Sequence, residues 1–194
     1  MTGKALAITN ISERMREIGM PPISDSFKSR GLGLNTASKI IDRIHLPAWR
    51  EAQPTAGKTL VVTNGCFDLL HAGHITYLEA ARSQGDVLLI GLNSDDSVRQ
   101  LKGPSRPVNA EADRARVLAA LECVDAVCLF PEVRAVRFLS LAQPNVYVKG
   151  GDYTAATLNP EERRVVESAG GRIVILPLVP GQSTTALFRK ISRL

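Results

Sequence analysis

The stretch from Thr59 to His74 constrains this chain more than any other. Thr59-Leu60-Val61-Val62-Thr63 is a short apolar strand pattern that breaks at Asn64-Gly65, and a helix pattern re-forms from about Ala72 through Ile75, Leu78 and Ala81. In an open parallel sheet such a strand-to-helix turn lies at the carboxyl ends of the strands. There the free backbone N–H groups of the next helix point outward and suit an anion. Two of the three histidines, His71 and His74, sit three residues apart at that turn, so both can face one anion from the first helical turn. Ala72 and Gly73 between them are small enough for a phosphate to approach the backbone. Polar decoration and a zinc site are the competing readings. Zinc is disfavoured, because His45 is far upstream and no cysteine pair or acidic cluster supplies further ligands.

The alternation continues downstream. Apolar strands are expected from Val87 to Leu92, Ala126 to Phe130, Val146 to Lys149 and Arg172 to Leu176. Helices are expected from Glu111 to Leu121, Glu132 to Ala142, Pro160 to Ala169 and onward from Ser183, with a helix-start signal at Asn93-Ser94-Asp95. Five short strands alternating with helices predict an α/β fold, a doubly wound parallel sheet with right-handed crossovers. Residues 1–36 read as an N-terminal extension or linker, with a short amphipathic pattern at Ile11, Met15 and Ile18 before a Gly/Pro/Ser-rich stretch. The segment 37–57 reads as a helical lead-in, with Pro47 marking its break.

Composition excludes several classes. No stretch approaches the ~18 apolar residues that span a bilayer, and the N-terminus lacks the apolar core of a signal peptide, so a cytoplasmic protein without membrane association is expected. Cys66, Cys123 and Cys128 form no CxxC pair and leave an odd thiol, which fits a reducing compartment. The net charge is +5, but residues 1–57 carry eight Lys/Arg against five Asp/Glu and the rest sixteen against fourteen. With the main part near balance, and with no basic run or aromatic-interleaved patch, nucleic acid is not an expected partner.

The residues Gly65-Cys66-Phe67-Asp68-Leu69-Leu70-His71-Ala72-Gly73-His74 resemble the first signature of the cytidylyltransferase-like nucleotidyltransferases. In that family HxGH binds the triphosphate and stabilises the transition state. The wider run, through the segments starting at Asn93, Asp113, Val148 and Pro177, resembles the D-glycero-β-D-manno-heptose 1-phosphate adenylyltransferase branch in the same order from about Lys39 to Leu194. The resemblance implies a Rossmann-like, five-stranded sheet of order 3-2-1-4-5, with 37–194 as the nucleotidyltransferase domain. It also implies ATP with Mg²⁺ carried on its phosphates rather than by protein ligands, a sugar 1-phosphate acceptor, and a homodimer. No kinase pattern is present, so a stand-alone transferase is expected. The rival readings are a cytidylyltransferase for glycerol 3-phosphate or phosphoethanolamine, and a nucleotide-binding module without catalysis.

The chemistry brings two polyanions together at one phosphorus, which calls for positive charge and orientation. Catalytic candidates are His71, His74 and Lys102; the resemblance makes Lys102 a phosphate ligand, against the plain reading of a solvated surface lysine. Nucleotide-binding candidates are Asn64, Gly65, Cys66, Phe67, His71, His74, Lys102, Arg114, Ser183, Thr184 and Thr185. Ser183 is a good N-cap, and with Thr184 and Thr185 it gathers hydroxyls and free N–H groups at a helix dipole. The cytidylyltransferase branch carries an arginine before its Gly-x-Ser-Thr-Thr, whereas Leu178-Val179-Pro180 stand there in this chain, as in the heptose branch. For Arg114 the alternatives are phosphate contact or an exposed helical charge. Acceptor-binding candidates are Asp68, Lys149, Gly150 and Asp152. Asp68 either approaches the acceptor or caps its own turn. No general-base constellation is present, and an ionised sugar 1-phosphate needs none.

Overall fold

The computed structural model describes residues 36–52, 57–151, 157–177, 181 and 183–191. The expected extension 1–36 falls outside them, except for its last residue. The described residues belong to one compact unit that begins at residue 35.

Six parallel strands form the sheet: β1 (Ile40–Ile41), β2 (Leu60–Gly65), β3 (Val87–Asn93), β4 (Ala126–Phe130), β5 (Val146–Gly150) and β6 (Arg172–Leu176), in the spatial order β1-β4-β3-β2-β5-β6. The five long strands therefore stand in the expected order 3-2-1-4-5. The chain winds outward from β2 to β4, then returns to place β5 on the other side of β2. That reversal is the switch point of an open α/β sheet, and the crevice at the carboxyl ends of β2 and β5 is where such folds hold ligands.

The helices are α1 (Leu46–Ala52), α2 (Ala72–Arg82), α3 (Asp95–Lys102), α4 (Glu111–Ala119), α5 (Val136–Ala142), α6 (Pro160–Ser168) and α7 (Thr184–Ile191). Each sheet face has its own core. Leu60, Val62, Leu89 and Tyr147 meet Phe138 and Leu139 of α5 and Val166 of α6 on one face. Val61, Leu88, Ile90 and Val148 meet Leu78 of α2 and Leu118 of α4 on the other. Successive strand side chains point to opposite faces, so a sheet covered on both sides needs near-continuous apolar runs, and β3 is buried over its whole length. Gly91 is required there, because a Cβ at that position would lie 2.5 Å from the Phe138 ring.

Three local expectations are corrected. Ile40-Ile41, expected within a helical lead-in, form an added edge strand beside Val127 and Cys128. Two β-branched residues favour the pleated form, and Lys39 pins the entry by donating from Nζ to the Val124 carbonyl at 2.7 Å. Pro47 lies in the first turn of α1, where its missing N–H costs nothing, so it starts a helix instead of breaking one. Helix α5 also begins later than expected, at Val136. The Ala135 N–H donates to Glu162 Oε1 at 2.9 Å, and Glu132 pairs with Arg43, so both residues serve tertiary contacts.

Candidate functional site

The turn after β2 is shaped by Phe67, whose φ of 43° is left-handed, a region that non-glycine residues seldom occupy. Its ring is buried and lies 5.5 Å from the His74 ring. Gly65 leaves room for it, since a Cβ there would come within 3.1 Å of Phe67 Cε2.

His71 occupies the N-cap position of α2 with extended backbone, but its side chain caps nothing. The His71 carbonyl accepts from the His74 N–H at 2.9 Å, while the two imidazoles face each other with centroids 4.0 Å apart. Nδ1 of each ring is buried without a hydrogen-bond partner among the described residues. Buried polar atoms are nearly always satisfied, so two such nitrogens at a helix N-terminus mark a place for an anionic ligand. Burial lowers the pKa of both rings, that of His74 to about 4, with the neighbouring His71 adding to the effect. Both are neutral near pH 7, and a bound polyphosphate would favour their cationic forms.

The second signature reaches the same place. Ser183 Oγ caps α7 by accepting from the Ala186 N–H at 3.0 Å. Thr184 Oγ1 donates to the Leu69 carbonyl at 3.3 Å, joining the first turn of α7 to the loop before His71. Thr185 is exposed in the same turn. Gln182 and residues 178–180 lie outside the described residues.

A third loop completes the wall. Lys102 is the exposed last residue of α3, and Gly103 ends that helix with a φ of 100°. Arg106 pairs through Nε with Asp68 Oδ2 and lies over the Phe188 ring of α7, 5.3 Å from its centroid. Asp68 Oδ1 accepts from the Val108 N–H at 2.7 Å and the Asn109 N–H at 3.2 Å, and the Asn109 side chain donates to the Asp68 carbonyl at 2.9 Å. The Asp68 carboxylate is therefore committed to the 106–109 loop. Arg114 is only 2% exposed and is therefore not an exposed helical charge. It donates to the Asn109 carbonyl at 2.9 Å, the Cys66 carbonyl at 2.6 Å and Asp95 Oδ1 at 2.7 Å. It is a buried anchor beneath the signature loop. Burial raises the pKa of the Cys66 thiol against the opposing field of Lys102, Arg114 and Arg106, so Cys66 stays protonated and unsuited to nucleophilic attack.

At the carboxyl end of β5, Lys149 Nζ donates to Asn64 Oδ1 at 3.0 Å, and the Tyr147 hydroxyl, with one proton to give, lies 2.6 Å from the same oxygen. The Tyr147 oxygen also lies 3.0 Å from Glu162 Oε2. Gly150 closes the strand beside Leu176; Asp152 lies outside the described residues. Sequence reading missed Asp95, Asn109, Tyr147, Glu162 and Phe188. Glu162 did leave a signal: it stands four residues before the buried Val166, a charge on the apolar stripe of α6.

Together these elements bring two imidazoles, two helix N-termini and hydroxyls to the loop after β2, a donor set suited to a polyphosphate. Among the described residues no group of three His, Cys, Asp or Glu side chains is arranged to hold a metal ion, and no helix is long and apolar enough to cross a membrane.

The cytidylyltransferase-like family model matches residues 62–185. The chain is 53% identical over 154 residues to a bifunctional protein HldE of Geotalea uraniireducens (strain Rf4), covering 79% of this chain and 31% of that relative. A bifunctional protein HldE of Methylobacillus flagellatus (strain ATCC 51484 / DSM 6875 / VKM B-1610 / KT) is 54% identical over 202 aligned positions, 97% of this chain and 39% of that relative. The chain thus spans about a third of the length of these curated relatives. Among solved structures it is similar to the lipopolysaccharide core biosynthesis protein of Thermoplasma volcanium GSS1. That match has a TM-score of 0.52 and 26% identity, over 63% of this chain and 98% of the other.

Proposed function

This chain belongs to the cytidylyltransferase-like family, and we propose that within it the chain transfers the adenylyl group of ATP to D-glycero-β-D-manno-heptose 1-phosphate, giving ADP-heptose and pyrophosphate. In this reading residues 37–194 are the nucleotidyltransferase domain, acting in the cytoplasm as a homodimer. The observation that carries it is the meeting of the two signatures. Thr184 Oγ1 sits on the Leu69 carbonyl, which brings the α7 N-terminus against the loop of two histidines whose Nδ1 atoms are buried with no hydrogen-bond partner among the described residues.

An oxygen of the ionised acceptor phosphate attacks the α-phosphorus of ATP in line. The new P–O bond forms as the α–β anhydride bond breaks, the electron pair leaves with pyrophosphate, and configuration at phosphorus inverts. No proton has to be removed from the nucleophile. His71 and His74 donate to the phosphates and to charge developing on the equatorial oxygens, the kind of contact worth ~100- to 1,000-fold in rate. The N-termini of α2 and α7, with the Ser183 and Thr185 hydroxyls and the Thr184 backbone N–H, hold the β- and γ-phosphates. Lys102 folds over the departing pyrophosphate from the glycine-flanked end of α3. Asn64, Gly65, Cys66 and Phe67 line the nucleotide side through their backbone, held from below by Arg114. Lys149 and Gly150 receive the acceptor, with Asp152 beside them in sequence.

The wall residues are donors, and the nearby carboxylates Asp68 and Asp95 are taken up by Arg106 and Arg114. Mg²⁺ in this proposal accordingly arrives on the ATP phosphates and neutralises charge there.

The test is pyrophosphate release with ATP or CTP against a panel of phosphorylated acceptors, including the heptose 1-phosphate, glycerol 3-phosphate and phosphoethanolamine. Turnover with ATP and the heptose 1-phosphate is expected. Turnover only with CTP would overturn the adenylyl assignment, and ATP binding with no acceptor turned over would favour a binding module.

A further inference from the structure

Lys149 is only 6% exposed, at the carboxyl end of β5. Its ammonium donates to Asn64 and lies 5.5 Å from the centroid of the Tyr147 ring. Tyr147 is fully buried, and its hydroxyl oxygen stands between Asn64 Oδ1 and Glu162 Oε2. Glu162, 5% exposed, comes from α6, a helix that carries none of the signature residues. Its second oxygen takes the Ala135 N–H at the start of α5 and fixes the carboxylate between two elements. Two strands, β2 and β5, and two helices, α5 and α6, are thus tied together beneath one cation.

Stability alone does not account for such an arrangement. Apolar residues of similar volume in place of buried charges are commonly neutral or stabilising. A buried carboxylate and a buried ammonium, linked through a tyrosine at the ligand-binding end of the sheet, are instead suited to presenting a charge to a ligand.

We infer that Glu162 is a positioning residue which, through Tyr147 and Asn64, fixes the Lys149 ammonium for the phosphate of the acceptor. The inference rests on the reading of Lys149 given under the proposed function and extends it to the acceptor side of the cleft. Among the described residues the titratable groups facing Lys149 are the Glu162 carboxylate from α6, the Cys66 thiol from the loop after β2 and the Arg134 guanidinium from the segment before α5. Burial lowers the Lys149 pKa most; Glu162, then Cys66, oppose that, and Arg134 adds to it. The Glu162 carboxylate therefore helps keep the ammonium protonated. Without it Lys149 loses its proton at lower pH, and the alkaline limb of acceptor use moves down with it.

The experiment compares wild type, E162Q, E162D, Y147F and K149M as full chains. It measures KM for ATP, KM for the heptose 1-phosphate and the pH profile of kcat/KM for that acceptor. An NMR titration of isotope-labelled lysine, with Lys149 assigned through K149M, runs beside it. E162Q is expected to lower the Lys149 midpoint and, at alkaline pH, to raise the acceptor KM severalfold. KM for ATP should stay within about twofold, and E162D should recover part of both effects. If E162Q does not fold, Y147F carries the test, with a raised acceptor KM and an unchanged KM for ATP. If K149M raises the acceptor KM while folded E162Q leaves that KM and the Lys149 midpoint at wild-type values, Glu162 has no such role and the acceptor reading stands. If K149M leaves the acceptor KM unchanged, the reading of Lys149 fails and this inference fails with it.

Discussion

Thr184 and Leu69 touch across 115 positions of chain: the threonine hydroxyl donates to the leucine carbonyl at 3.3 Å. That contact sets the first turn of α7 against the loop leading into His71. It brings the two signature segments to one place.

Thr184→Val keeps the shape and removes the donor. A neutral hydrogen bond contributes about 0.5–1.5 kcal/mol, so KM for ATP should rise roughly 2- to 12-fold with the melting temperature nearly unchanged. Nucleotide titration beside a thermal melt checks this. An unchanged KM would show that α7 docks by other contacts.

His74→Ala removes the better buried of the two imidazoles, the one proposed to act at the α-phosphorus. Turnover should fall by roughly 100- to 1,000-fold while far-ultraviolet circular dichroism stays that of wild type. A loss below tenfold would move the catalytic contact elsewhere.

The same residue predicts a pH signature. His74 in the folded protein titrates near 4 and in the unfolded chain near 6.5, chiefly because burial disfavours its charged form. The unfolded chain therefore binds the proton more tightly. This stability contribution is fully present above about pH 6.5 and is lost as pH falls toward about 4. His74→Asn should flatten that part of the melting-temperature profile. ATP, by stabilising the cation, should bind with proton uptake in the same window, seen as a buffer-dependent binding enthalpy. Proton release on binding would contradict the geometry.

Arg114→Met leaves two carbonyls and the Asp95 carboxylate without their buried donor. Breaking a buried pair from one side costs about 3–5 kcal/mol, so the denaturant midpoint should fall steeply even before activity is measured. A midpoint equal to that of wild type would mean that Arg114 faces the ligand and not the scaffold.

Asp68→Asn takes the charge from Arg106 and weakens the hold on the Val108 and Asn109 N–H groups. The loop after α3 should open more often, and trypsin should cut faster after Lys102. Peptide mapping over time reads this; an unaltered rate would assign the loop's order to Arg106 and Phe188 instead.

Much of the frame was legible because its signals are local. The apolar runs of β2 to β6, the break at Asn64-Gly65 and the Ser183 cap each depend on residues within a turn or two, and the structure shows the strands and the cap where the pattern put them. Ile40-Ile41 was misread, since two β-branched residues become a strand only when an edge such as β4 offers them partners. The fates of Asp68 and Arg114 were not legible either. Their chemistry fits a phosphate site, and only the folded loop shows their carboxylate and guanidinium already engaged by Arg106, Asn109, Cys66 and Asp95.

The sequence by itself determined the alternation of strand and helix, and the residue types able to meet a polyphosphate, because periodicity, caps and small residues act over a few positions. Tertiary structure alone decided which charges are left for a ligand and which are consumed in holding the loops. Glu162 reaching Tyr147, and Thr184 reaching Leu69, are encounters between distant segments. Whether a buried charge is answered by protein or by substrate depends on what packing brings within hydrogen-bonding distance of it.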